Sequence, residues 1–137
     1  MSTRATILFK RNGESLCKLY HHWDGYINGL GHGIAEWLCK KRVGNGIGAD
    51  CDESFANGVG CLVAQFIKAF KNEAGNLYVE SIDSSDEYID YNYIIDIKED
   101  YETRNCNDIT KITVTNWGNN IPIFEGTPME LLNYEEE

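Results

Sequence analysis

The run Tyr20-His21-His22-Trp23-Asp24-Gly25-Tyr26 gathers two imidazoles, an indole, two phenols and a carboxylate. So many polar and ring side chains are hard to bury together, which leaves part of the run to face solvent or a ligand. Two chemistries suit it. One is a metal site in which His21 or His22, with Asp24 and His32, supplies nitrogen and oxygen donors, as a metal-dependent nucleotide hydrolase would need. Neighbouring strand residues point to opposite faces, so His21 and His22 cannot easily both be ligands. The other is nucleotide binding. Faces of Trp23, Tyr26 or Trp117 would stack on a base at about 1–3 kcal/mol per base. Arg4, His22 and nearby Lys would meet phosphate, and Asp24 or Asn92 would bind ribose hydroxyls. A purely structural role at a strand end is the simplest alternative to both.

Basic residues are few, 12 against 22 acids, so those with an anion to hold stand out. Arg4, Lys18 and Lys111 fall on expected strands and could converge on one face. Lys40, Lys41 and Arg42 form the one compact basic run, either an anion site or simple compensation of a helix dipole. Gly44-Asn45-Gly46-Ile47-Gly48 is glycine-rich, yet it follows a helix and lacks the Gly-Lys-Ser/Thr ending of a phosphate loop. G-x-S-x-G, H-E-x-x-H and a Ser or Cys nucleophile beside a base are all missing, so no catalytic residue, resident metal or cofactor is expected. Asp83, Asp86, Glu87 and Asp90 read as a solvated edge that resists sheet-to-sheet aggregation.

The elements that must position these groups are legible from periodicity. Thr3 to Lys10 and Ser15 to Trp23 read as strands joined at Asn12-Gly13, a pair that tolerates positive φ. Ile34, Trp37, Leu38 and Lys41 fall at helical spacing, with the basic run in the last turn and Gly44 as a stop. Phe55, Val59, Leu62, Val63, Phe66, Ile67 and Phe70 form a longer helical stripe, begun by Asp52 or Ser54 and ended by Gly75. Three strands follow, Leu77 to Ile82, Tyr88 to Lys98 and Ile109 to Trp117. In the middle one Ile89, Tyr91, Tyr93, Ile95 and Ile97 share a face opposite Asp90, Asn92, Ile94 and Asp96. After a tail piece, Ile121 to Glu125, Thr127-Pro128-Met129-Glu130 reads as a capping box opening a short helix. The closing Glu135-Glu136-Glu137 should fray. The expected fold is α+β in one domain over 1–137, with about five antiparallel strands, two helices on one side and order β-β-α-α-β-β-β plus a C-terminal helix.

Composition bounds the function. At 42% hydrophobic the chain can bury a core and should fold. Its apolar stretches fall well short of the roughly 20 residues that span a bilayer. The start lacks the pattern of a signal peptide, so the cytoplasm is the expected location. Five widely spaced cysteines without a C-x-x-C pair suit reduced, mostly buried thiols. A net charge of −10 opposes binding to a nucleic-acid polymer, which relies on Lys and Arg.

The opening Ser2-Thr3-Arg4-Ala5-Thr6-Ile7, followed by Tyr20-His21-His22-Trp23-Asp24-Gly25-Tyr26, resembles a group of small phage and prophage proteins. Within that group the chain is similar to the anti-Thoeris nucleotide sponges, which capture the cyclic ADP-ribose isomer made by a bacterial defence enzyme and starve its effector. The likeness is carried by about the first 26 residues. It implies stoichiometric sequestration without turnover, in a homo-oligomer with pockets near subunit contacts, and it points to Arg4, His22, Trp23, Asp24 and Tyr26. Many members have Pro after the Tyr, where this chain has Ile27, so the loop beyond Tyr26 should differ. An acidic surface that blocks a basic host protein is a further reading.

Overall fold

The computed structural model describes residues 2–118 and 121–136. Strands β1 (Ala5–Arg11) and β2 (Glu14–His21) form the expected hairpin, turned by Asn12 at φ +51° and Gly13 at φ +84°. A register shift between Phe9 and Lys10 places Leu16 in a bulge. A π-helical turn, Ile27–Gly31, runs directly into α1 (His32–Cys39). Next come β3 (Arg42–Gly44), β4 (Phe55–Asn57), α2 (Val59–Phe70), β5 (Leu77–Glu80) and β6 (Tyr91–Ile97). The chain continues through β7 (Arg104–Asn105), α3 (Cys106–Ile109), β8 (Thr110–Asn116), β9 (Phe124–Gly126) and α4 (Pro128–Leu132).

The fold is α+β, but its sheet is larger and wired differently from the expected one. Six strands lie in the order β5-β2-β1-β6-β8-β9, and a second sheet orders β4-β3-β7. The expected antiparallel pairing of consecutive strands fails at the centre, where β6 runs parallel to β1 and β5 pairs with β2 at the edge. The reason is the length of segment 81–90. At about 3.3 Å per residue it easily covers the three strand spacings, about 4.8 Å each, between β5 and β6. A hairpin is therefore not forced.

One face of the large sheet carries Ala5, Ile7, Phe9, Leu19, Tyr93, Ile95, Ile112 and Val114 into the core. Phe66 of α2 meets Phe9 edge to face at 5.0 Å and Trp37 of α1 at 5.3 Å, and it stacks on Phe70 at 4.0 Å. The alternation expected in β6 is present, with Tyr93, Ile95 and Ile97 fully buried. The opposite face presents Thr6, Leu8, Tyr20, Asn92 and Ile94, which are at most partly exposed.

Three element boundaries differ from expectation for stated reasons. Phe55 joins the helical stripe by spacing alone. Gly58, at φ +90°, breaks the chain before Val59, and a Cβ there would sit 2.8 Å from a Glu99 carboxylate oxygen. Helix α2 also stops at Phe70, short of Gly75. Helix α1 stops at Cys39, so Lys41 and Arg42 lie beyond its last turn and do not offset its dipole, and Arg42 opens β3. The capping box at α4 forms as expected, with Thr127 and Glu130 bonded reciprocally behind Pro128.

Glu136 is not frayed. Its carboxylate accepts from the Ile27 amide at 2.9 Å and from the Tyr91 hydroxyl, while its backbone exchanges hydrogen bonds with the Asn28 amide side chain. Tyr26 precedes the helical segment without a side-chain cap. The carboxylate thus takes over the role an N-cap residue would fill. Glu137 lies outside the described residues. Because hydrogen bonds to charged groups contribute about 1.5–3 kcal/mol, Glu136→Ala should lower unfolding free energy by about that amount in urea titration. An unchanged midpoint would show that the tail merely rests on the fold.

Candidate functional site

The Tyr20–Tyr26 run ends β2 beside the start of β1. Register pairs Thr6 with Tyr20 across that hairpin and with Asn92 across the parallel pair, so these three residues share the outer sheet face. The Tyr20 and Tyr78 rings lie 5.7 Å apart, Tyr20 and His22 5.8 Å, and His22 and Trp23 5.5 Å. Tyr20 and His22 share a 2.7 Å hydrogen bond between hydroxyl and Nδ1. The result is a continuous row of four rings along the sheet end.

Segment 81–90 crosses this face and makes it concave. Its anchor is Lys18, buried on β2, whose ammonium donates to the Ser84 carbonyl at 2.8 Å and pairs with Asp86 at 2.7 Å. Ile89 is buried at the far end, and Tyr88 is held at φ +68°, a conformation that bulky residues adopt only under constraint. Between segment and sheet lies a cleft of about 210 Å³ lined by Arg4, Thr6, Tyr20, Glu80, Ser84, Ser85, Glu87, Tyr88 and Ile89. Arg4 brings the cation, Tyr20 and Tyr88 bring flat apolar faces, and the two Glu carboxylates accept hydrogen bonds. Burial pushes the Tyr20 hydroxyl up in pKa, partly opposed by the positive charge of Arg4, which keeps the phenol a donor at neutral pH.

Seven of the residues singled out from sequence come to this end of the sheet. Arg4 lines the cleft, and its backbone amide donates to an Asp90 carboxylate oxygen at 2.8 Å. The Asp90 carbonyl in turn accepts from the Trp117 amide, and Trp117 is two-thirds exposed. Asn92 accepts from the Thr6 hydroxyl. His22 and Trp23 extend the ring row. Asp24, at φ +56°, and Tyr26 shape the turn, their carbonyls accepting from Leu30 and from Gly29 and Gly31.

The other candidates lie apart from the cleft. Lys18 is spent on Asp86 and Ser84, so it holds the segment instead of a phosphate. Lys111 faces Asp96 at the opposite end of β8 and pairs with Glu125 at 2.8 Å. Lys40 pairs with Glu36, Lys41 stands over the Trp37 ring and Arg42 over the Phe55 ring. The drawn metal set is dispersed. His21 turns into the core side, His22 into the ring row, and His32 donates its Nε2 proton to the Tyr134 carbonyl. Among the described residues no group of three His, Cys, Asp or Glu side chains is placed to hold a metal ion.

Sequence reading missed Tyr78, Tyr88, Glu80 and Glu87 as site residues. Their signal exists only once register and crossover are known, since nothing local marks an edge strand or a segment that folds back across a face. Comparison with protein-family models, curated proteins and solved structures matches the chain to none of them.

His21 supplies a pH-dependent prediction. It is buried with Nδ1 unpartnered, and desolvation lowers its pKa, opposed in part by the nearby Trp23 backbone and the Asp24 charge. The unfolded imidazole, with pKa about 6.5, therefore binds more protons than the folded one, and stability falls as pH drops below that value. The His21→Gln variant should flatten the slope of stability between neutral and mildly acidic pH. Parallel slopes for the two chains would place the sensitivity elsewhere.

Proposed function

We propose that the protein binds a cyclic ADP-ribose isomer at the sheet-end cleft and holds it uncleaved, acting as a phage-derived sponge against a Thoeris-type signal in the bacterial cytoplasm. The observation that carries this reading is the cleft itself, where Arg4, Tyr20 and Tyr88 meet next to the ring row. In this reading adenine lies against Tyr20 or Tyr88, where stacking contributes about 1–3 kcal/mol. Arg4 pairs with the pyrophosphate through its planar guanidinium. Glu80 and Glu87 accept from ribose hydroxyls or the adenine amino group, a role that acids fill and that phosphate contacts cannot. The cleft takes one end of the ligand, and the rest extends toward His22, Trp23 and Trp117.

Holding without turnover needs only complementarity to the ground state. The outer edge of β5, which among the described residues pairs with β2 alone and exposes Val79, gives a place for copies to meet in the homo-oligomer the resemblance implies.

The test is to incubate the chain with the cyclic ADP-ribose isomer from an activated Thoeris enzyme, remove free ligand by filtration, denature the protein and identify the released nucleotide by mass spectrometry. Intact ligand at one per site supports a sponge. Altered ligand means an enzyme, and nothing retained overturns the reading. Arg4→Ala should weaken binding at least tenfold, about 1.4 kcal/mol; unchanged affinity would remove Arg4 from the site.

A further inference from the structure

Asn-Gly pairs occur at 12–13, 28–29, 45–46 and 57–58. In each, the glycine amide nitrogen lies one five-membered ring closure from the side-chain carbonyl carbon of the asparagine, and the glycine has no Cβ to shield it. Attack there is intramolecular and therefore favoured by proximity. It needs an asparagine side chain free to turn onto the backbone and a glycine N–H free to lose its proton. The fold removes these freedoms site by site.

Asn12 is fixed at both atoms of its amide, Nδ2 donating to the Glu99 carbonyl at 3.3 Å and Oδ1 accepting from the Glu99 amide at 2.8 Å. The Gly13 amide donates to an Asp96 carboxylate oxygen at 3.0 Å, a charge-assisted bond that holds the proton in place. Asn28 is fixed in the same way by the Glu136 backbone, at 3.0 and 3.1 Å, and the Gly29 amide donates to the Tyr26 carbonyl within the π-helical turn. Asn57 closes β4, and its Oδ1 accepts from the Gly46 amide at 2.8 Å. A Cβ at Gly58 would sit 2.8 Å from a Glu99 carboxylate oxygen, so negative charge growing on the Gly58 nitrogen is opposed.

Asn45 is different. It is exposed just past β3, and its side chain makes no hydrogen bond among the described residues. A Cβ at Gly46 would meet nothing within 4 Å, so the approach is open. Among the described residues the restraint on the Gly46 nitrogen is its bond to Asn57 Oδ1, an acceptor on a side chain that is itself exposed.

We propose that Asn45 is a site of spontaneous covalent modification, closing to a succinimide with Gly46 and reopening with water as aspartate or isoaspartate. Base takes the Gly46 amide proton, the nitrogen bonds to Asn45 Cγ, and the Cγ–Nδ2 bond breaks to release ammonia. Water then adds to one imide carbonyl carbon. Cleavage at Cγ leaves aspartate, and cleavage at the backbone carbonyl carbon leaves isoaspartate, with the chain routed through the side chain. Either product adds a carboxylate to the recess that Asn45 lines with Arg11, Glu99 and Asp100, and isoaspartate also lengthens the backbone at the head of loop 45–54. The site is independent of the sheet-end cleft.

The test is to hold the folded chain at 37 °C and mildly alkaline pH, digest samples at acidic pH, and locate the gain of one mass unit by fragment ions that separate position 45 from 57. Position 45 should convert at least tenfold faster than 12 and 28, and ahead of 57. In guanidinium chloride, which removes the native bonds, the four positions should convert within a fewfold of one another. Asn57→Ala, which frees the Gly46 amide, should speed conversion at 45 about twofold or more, with folding checked by circular dichroism. If that variant does not fold, Asn45→Gln carries the test, since it should remove most of the acidic species that ion exchange resolves from the aged chain. Conversion at 12, 28 or 57 ahead of 45 overturns the proposal. So does an equal lead for 45 in denaturant, or an undiminished acidic species from the Asn45→Gln chain.

Discussion

Strand β5 lies antiparallel to β2, and β2 antiparallel to β1, so β5 and β6 point the same way with two strands between them. Segment 81–90 must therefore return across a sheet face, and the core face is already filled by helical side chains. The outer face is the available route. The parallel pairing of β1 with β6 thus decides that a cleft exists at all, and it decides which residues line it. Lys18 makes the crossing specific. Buried on β2, its ammonium needs partners, because an unpaired buried charge costs several kcal/mol, and the segment supplies Ser84 and Asp86. The same bonds that satisfy the lysine hold Tyr88 and Glu87 opposite Arg4 and Tyr20.

The turn after β2 is held from both directions. Gly25 packs against Ala5, where a Cβ would meet the Ala5 side chain at 2.8 Å, and its amide donates to Thr3. Its carbonyl accepts from the Tyr93 hydroxyl at 2.7 Å, inside the core. From the far end of the sequence, Glu136 caps the helical segment that begins at Ile27 and bonds to Tyr91. Burial and the neighbouring Glu136 raise the Tyr91 pKa, so that hydroxyl stays protonated and continues to donate. The residues that follow β2 are thereby fixed by contacts to β1, to β6 and to the tail, all distant in sequence. A rigid turn of this kind presents Trp23 and Asp24 at constant geometry, which suits preformed binding.

What was legible in the sequence is what is local. The Asn12-Gly13 hairpin, the alternation of β6 and the capping box at Thr127 each rest on a handful of neighbouring residues. Tertiary pairing overrode local signals elsewhere. Phe55 has helical spacing to Val59 but joins β3 as a parallel partner of Arg42, and Glu136 has the composition of a frayed end but meets an uncapped helix start. The short strands β3, β4 and β7 carry no alternation long enough to recognise. Arg4 and the aromatic run stand out in the sequence because their types are informative at any position. Lys18 reads as a phosphate candidate and Lys111 as a ligand-binding residue because charge alone says nothing about which carboxylate stands opposite.

The proposed binding of an anionic ligand by a chain of net charge −10 poses a contradiction that distance resolves. Screening limits charges on the exterior to about 8 Å at physiological salt, so the acidic surface slows an incoming anion without setting its final affinity. Affinity depends on what lies within a few ångströms. At the cleft, Arg4 is flanked by the indirect neutralisation of Lys18 against Asp86, which removes one acid from the local field, while Lys111 and Lys40 are cancelled by Glu125 and Glu36 far away. Arg4 makes no ion pair among the described residues and stands beside Tyr20 in the cleft, with Glu80 and Glu87 on the same lining. Recognition of the proposed kind would disfavour long polyanions, which must lie across the acidic surface, and favour small ligands whose charge fits inside one screened pocket.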